Sequence, residues 1–229
     1  MLNIVLDDEL YETLRISNRG IFYLFIESFA DGNLMSDLFS HSFIKNRSDL
    51  YGISTREYEK YILSSLKPLF GHKYTQLYIY MSYGMNQALS LLLILAYLDQ
   101  IGDTKEITIY CYDQKAKLNA TYRIKAKGYN HVYQTLFFKK QKPKEILITP
   151  IQMEIEHALE YKKENNSLLQ FLKENQDLNS QLLYAKFMEK FSDYHLTDQQ
   201  FIHLLRRSKK MWKLWVKNLC KWKMYAIIM

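Results

Sequence analysis

Apolar positions in the first half of the chain fall into short dense runs separated by stretches of helical spacing. LNIVL (2–6) breaks off at Asp7 and is followed by ELYETLRIS, where Leu10, Leu14 and Ile16 approach a helical period. This is a strand feeding a helix. IFYLFI (21–26), aromatic and β-branched, is a second buried strand ending at Glu27; TQLYIYM (75–81) is a third and KEITIYCYD (105–113) a fourth. NQALSLLLILAYLDQ, before the fourth strand, is apolar on every side, as a helix inside a core is, and Gly102 closes it. Between the second and third strands, turn signals at Asp31, Gly32 and Asn33 predict an irregular segment with one short helix. Thr55 reads as the N-cap of a helix through REYEKYILSSLKPLF that Pro68 weakens near its end. Apolar strands alternating with helices predict an α/β fold, an open, mainly parallel sheet with flanking helices on both faces.

Beyond residue 145 the spacing changes. TPIQMEIEHALEYKKEN opens with Thr149 as cap and Pro150 in the first helical position. SLLQFLKEN, NSQLLYAKFMEKFSDY and TDQQFIHLLRR each begin at a Ser, Asn or Thr cap before an amphipathic run. An α/β domain over 1–145 followed by a small helical C-terminal domain over 146–207 is the predicted organisation. The last segment, 208–229, differs again, because KKMWKLWVKNLCKWKM (209–224) contains all 3 tryptophans. At about 100° per residue, Met211, Trp212, Trp215, Leu219 and Trp222 fall on one side of a helix, with Lys210, Lys213, Lys217 and Lys221 on the other.

Composition supports a packed core: 48% of residues are hydrophobic, and 19 tyrosines and 12 phenylalanines stand against 7 glycines and 3 prolines. Charge alters the picture only at the end of the chain. The formal net charge is +7, and Arg206, Arg207, Lys209, Lys210, Lys213, Lys217, Lys221 and Lys223 supply eight positive charges with no acid among them, leaving −1 for residues 1–205. The basic pI therefore argues for a polyanion-binding surface in the tail alone. Its contact residues would be Lys210, Lys213, Trp215, Lys217, Lys221 and Trp222. Three uses stay open: docking on the body or on a second subunit of a homodimer, lying on an anionic membrane, or meeting the phosphates of nucleic acid. Cys111 and Cys220, far apart, fit neither a disulfide framework nor a zinc site. The acidic start is unlike a signal peptide, and the apolar run ALSLLLILAYL is too short to cross a bilayer. A cytoplasmic protein with no transmembrane segment is expected.

In an open α/β sheet the loops at the carboxyl ends of the strands gather at one crevice. On that rule Asp7, Asp8 and Glu9, then Glu27 and Asp31, then Ser82, Tyr83, Asn86 and Gln87, and finally Asp113 converge. Asp8, Glu27, Asp31, Asn86 and Gln87 are the expected contacts for a small polar ligand. The local alternative for the acidic start is that Asp8 caps the following helix, with Asp7 and Glu9 near its positive end. If Asp7, Asp8 and Asp31 meet, they make a site for Mg or Mn in an enzyme acting on a phosphate-containing substrate; otherwise no cofactor is implied. No GxGxxG, GxxxxGK or GxSxG motif is present, and the 6 histidines show no HxxxH or HExxH spacing. The leading expectation is a non-enzymatic ligand-binding or regulatory protein.

These segments carry a resemblance to a bacterial family known as domain of unknown function 1835, over most of residues 1–205. LNIVLDDE resembles its opening strand and Gly-Asp-Ser turn: Asp8 matches, while Asp7 and Glu9 stand where the glycine and serine would. FIESFADG is similar to an aromatic strand running into an acid-glycine turn, with Asp31 and Gly32 matching and Arg47 placed like an arginine that follows. LYIYMSYGMNQALSLLLILAYLDQ is similar to a strand, acidic loop, glutamine and leucine-rich helix; Gln87 matches, but Met81 and Tyr83 occupy the acidic positions. The resemblance therefore implies a member without whatever chemistry those carboxylates supply. ITPIQMEIEHALEY and the helices after it resemble the family's helical C-terminal part. Longer relatives labelled transcriptional regulators add a winged-helix-like segment, of which LTDQQFIHLLRR would match the first helix only.

Overall fold

A computed structural model describes residues 1–17, 20–113, 115–145 and 147–208. The tail contacts Lys210, Lys213, Trp215, Lys217, Lys221 and Trp222 lie outside the described residues. Five strands form one sheet in the order β2-β1-β3-β4-β5: β1 Leu2–Val5, β2 Phe22–Leu24, β3 Leu77–Ser82, β4 Ile107–Tyr112 and β5 Leu118–Ile124. The first four are parallel and β5 is antiparallel to β4. The fold is the predicted α/β class with a helical C-terminal region. Among the described residues no helix is long and apolar enough to cross a membrane.

Strand order dictates where the helices go. The chain leaves β1 toward β2 through α1 (Asp8–Ser17) and leaves β3 in the opposite direction, toward β4, through a sixteen-residue helix at Met85–Gln100. Right-handed crossovers in opposite directions put those two helices on opposite faces. Three helices precede the second of them: α2 (His41–Tyr51), α3 (Thr55–Tyr61) and, after a 3₁₀ turn at Leu63–Leu66, α4 (Lys67–Phe70). Met85–Gln100 is thus α5. It is buried on every side from Ala88 to Ala96, and α6 (Tyr129–Phe137) packs along it.

The two faces of the sheet are not equally sealed. Leu77, Ile79 and Met81 of β3 and Ile107, Ile109 and Cys111 of β4 are fully buried, whereas Tyr78, Tyr80, Tyr110 and Tyr112 on the other face are half-buried. There α1 places Leu10 and Leu14 over Val5, with Phe22, Tyr80 and Tyr112 against them. The aromatic row continues from Tyr80 to Tyr110 (5.1 Å between ring centroids) and on to Tyr78 (6.2 Å). Alternation along β3 therefore replaces the uniform burial its apolar character predicts.

Several boundaries move for local reasons. Ser54, not Thr55, caps α3: its hydroxyl accepts the Glu57 N–H (3.2 Å) and the Glu57 carboxylate accepts the Ser54 N–H (2.9 Å), a reciprocal capping box. Pro68 sits in the first turn of α4, where a missing N–H costs nothing, so the predicted long helix becomes three short segments. β5 and α6 fill a stretch in which no element is predicted. β5 is largely exposed and its hairpin carries a bulge at Cys111/Tyr112, so it lacks the dense apolar run that marks the other strands.

The chain divides into two compact units, Met1–Leu159 and Glu160–Met229. The division falls inside α7 (Thr149–Lys162) rather than at the change of spacing near residue 145. In the second unit α8 (Ser167–Glu174), α9 (Ser180–Lys190) and α10 (Asp198–Arg207) start at the caps Asn166, Asn179 and Thr197. Phe187 meets Phe171, Phe191 and Phe201 with ring centroids 6.0, 5.0 and 4.9 Å away. Arg207 donates to the carbonyl oxygens of Tyr161 (2.8 Å) and Lys163 (2.7 Å), closing the end of α10 onto the end of α7.

Burial, reinforced by Tyr110 and Tyr112, pushes the Tyr80 phenol up to about 12. An unfolded tyrosine titrates at about 10, so the un-ionised Tyr80 contributes stability that is complete below that pH and is lost as pH rises toward 12. Tyr80→Phe, which keeps the ring and removes the titrating group, is expected to unfold at higher pH than the parent in circular dichroism between about pH 9 and 12; an unchanged alkaline midpoint contradicts this.

Candidate functional site

The sheet's direction of winding reverses between β1 and β3, and at their carboxyl ends three side chains from separate parts of the sequence meet. α1 begins at Asp8, which makes Asp7 its cap. Asp7 Oδ1 accepts the Leu10 N–H at 2.8 Å, and Oδ2 accepts the Ser82 hydroxyl at 2.5 Å and the Gln87 amide at 3.3 Å. Ser82 is the last residue of β3 and Gln87 lies in the first turn of α5, so strand pairing and the Gly84 turn fix both against Asp7. No side chain caps α5 at Gly84, and its positive end faces this region. Alongside, the Asn119 amide of β5 donates to the Tyr83 hydroxyl at 3.2 Å; burial, with Cys111 and Tyr122 nearby, holds that phenol above its ordinary value. The cluster offers one carboxylate, two hydroxyls and two amides, a hydrogen-bonding set.

The expected ligand contacts separate into two groups. Gln87 belongs to this cluster and Asn86 adjoins it in the same helical turn. Asp8 is exposed and accepts the Glu9 N–H (3.0 Å) within α1; the capping role expected of it falls to Asp7 because the helix starts one residue earlier than that role requires. Asp113, at the end of β4, is taken up by the hairpin turn, accepting the N–H groups of Lys115 and Lys117 at 2.9 Å each.

Glu27 and Asp31 lie in a buried corner around Arg47, and neither is bonded to the Asp7 cluster. The side chains of Glu27 and Arg47 are both 0% exposed and form an ion pair. Arg47 Nε donates to Glu27 Oε1 (3.0 Å), and its terminal nitrogens donate to the carbonyl oxygens of Asp31 (2.6 Å) and Ser28 (2.8 Å). Tyr51 donates to the same carboxylate at 2.8 Å, and so does Tyr58. The Asp31 carboxylate accepts the Ser28 hydroxyl at 2.8 Å. Burial is the largest single influence on the Arg47 pKa and would lower it; the Glu27 charge and hydrogen bond, together with Tyr51 and Tyr58, outweigh it and raise the pKa. Burial first, and then the same carboxylate, raise both phenols. Gly32 completes the corner at φ +69, and a Cβ there would stand 2.9 Å from the Leu50 side chain, so both conformation and space call for glycine.

Asp7, Asp8 and Asp31 are consequently not neighbours in one ligand set. Among the described residues no group of three or more His, Cys, Asp or Glu is placed to hold a metal ion. Asp7 and Ser82, neither of them among the expected ligand contacts, stand at the centre of the cluster. The signal available was the polar break that ends each of two buried strands, Asp7 after LNIVL and Ser82 after LYIYM.

Glu27→Gln leaves the Arg47 charge buried without its counter-ion and is expected to cost about 3–5 kcal/mol of stability. Glu27→Gln with Arg47→Met is expected to cost less than the single change, since no uncompensated charge remains. Urea unfolding of the two variants decides it, and a double variant no better than the single one would contradict the corner's electrostatic account. No protein-family model, curated protein or solved structure matches the chain.

Proposed function

We propose that the protein is a non-enzymatic binding or regulatory protein of the cytoplasm, whose crevice between the carboxyl ends of β1 and β3 takes a small polar ligand rich in hydroxyl or amino donors. The observation that carries this reading is the meeting of Asp7, Ser82 and Gln87 where the winding reverses. Such reversals are where open α/β sheets bind ligands. Asp7 stands at the positive end of α1 and is held by its cap bond, so its acceptor oxygens are fixed before a ligand arrives. Ser82 and Gln87 add groups that both donate and accept, which suits a polyol, a sugar or an amino acid better than an apolar ligand.

A regulator needs a second contact. The eight cations from Arg206 to Lys223, with no acid between them, support nucleic acid or an acidic partner protein in that role.

Thermal melting with panels of sugars, polyols and amino acids at millimolar concentration is expected to find a stabilising compound whose effect disappears in Ser82→Ala and in Gln87→Leu. A shift that survives both substitutions sinks the crevice as its site. Removal of residues 209–229 is expected to abolish salt-sensitive binding to DNA and leave the melting of the body unchanged; retained binding in a gel-shift assay would refute the tail contact.

A further inference from the structure

A second concave site lies away from the crevice, entirely within the first unit. It is a cleft of about 870 Å³ between the segment leading into α2, the run from α3 to α4, and the last turns of α5, inside the roughly 300–1,000 Å³ typical of small-molecule sites. Its base is aromatic. The Phe39 ring meets Phe70 (5.0 Å) and Tyr97 (5.1 Å), and Phe70 meets Tyr97 (5.5 Å), the two Tyr97 contacts being edge-on at 84°. Phe39 holds φ at 57°, the left-handed region that a phenylalanine disfavours. Residue 38 on one side of it is tied to the end of α5, since Gln100 accepts the Leu38 N–H (3.2 Å) and donates to the Asp37 carboxylate (2.8 Å). Ring and backbone are therefore set in place by the fold.

One wall of this cleft is cationic. Arg56, Lys60, Ser64 and Lys67 recur at four, four and three residues along the α3–3₁₀–α4 run, so they share one side of it, and all four line the cleft. Arg56 and Lys67 have no ion-pair partner among the described residues, and Lys60 contacts its neighbour Tyr61. Fixed rings below and unneutralised cations on one flank suit a ligand with a flat apolar body and a compact multiply charged anionic end. Asp37 and Glu59, which also line the cleft, offer acceptors to sugar hydroxyls or to an exocyclic amino group.

We propose that this cleft binds a nucleoside monophosphate, with its base on Phe39, Phe70 and Tyr97 and its phosphate on Arg56, Lys60 and Lys67. A phosphate matches this wall better than a carboxylate because a guanidinium can engage two of its oxygens and the two ammonium groups the others. The site is independent of the β1–β3 crevice, and neither requires the other.

Isothermal titration of the full chain with AMP, adenosine and inorganic phosphate tests it. AMP is expected to bind, with adenosine and phosphate each weaker by about tenfold or more, since each supplies only half of the contacts. Arg56→Ala with Lys60→Ala, and separately Lys67→Gln, change only exposed side chains and are expected to weaken AMP by about tenfold or more. Ser82→Ala is expected to leave AMP binding unchanged. Absence of AMP binding, equal binding of adenosine or phosphate, retention of affinity in both cation variants, or loss in Ser82→Ala would each overturn the proposal.

Discussion

The Glu27–Arg47 ion pair is the constraint on which the layer above the sheet depends. Removing two charges from water is costly, and the cost is offset only when every strong hydrogen-bonding position is occupied. Here the guanidinium is shared between a carboxylate and two backbone carbonyls, and the carboxylate between that guanidinium and two phenols. The bonds join the segment after β2 to α2 through Arg47 and Tyr51 and to α3 through Tyr58. Ser90 of α5 donates to the Glu27 carbonyl at 3.3 Å, so the corner is also tied to the central helix. The segment after β2, whose Phe25, Phe29, Ala30, Leu34 and Leu38 are buried, is thereby also pinned by polar contacts above the sheet, and α3 with it.

The two candidate regions relate to that arrangement differently. The candidate crevice at Asp7 lies where the connections leaving β1 and β3 run in opposite directions, a property of strand order alone. The aromatic cleft exists because the chain between β2 and β3 is long enough to form a second layer of helices, which the ion pair holds over α5. One region is written in topology and the other in a buried polar contact, so they respond to different substitutions.

That difference explains what could be seen from sequence. β1, β3, β4 and α5 were legible because each is a dense run of apolar and aromatic residues, and the rule that parallel strands end at one rim brought Asp7, Ser82 and Gln87 into one region, where they are hydrogen-bonded. β5 was not legible: its residues Leu118–Ile124 lie at the sheet edge, largely exposed, and gain their conformation from pairing with β4 rather than from burial. The Glu27–Arg47 pairing was not legible for a related reason. An acid after a strand looks the same whether it faces a crevice or an arginine twenty residues on, and only the fold brings Arg47 to it. The aromatic cleft escaped notice because Phe39, Phe70 and Tyr97 are far apart in sequence and each alone looks like core.

The exposed edge formed by β5 has a consequence for assembly. A free strand edge invites another chain to extend the sheet, and charged side chains or irregular pairing discourage this. Lys117, Arg123 and Lys125 are exposed on or beside β5, and the bulge at Cys111/Tyr112 interrupts its regular ladder. At the opposite edge β2 offers only three residues. Neither border is a good template for a continuous sheet between subunits.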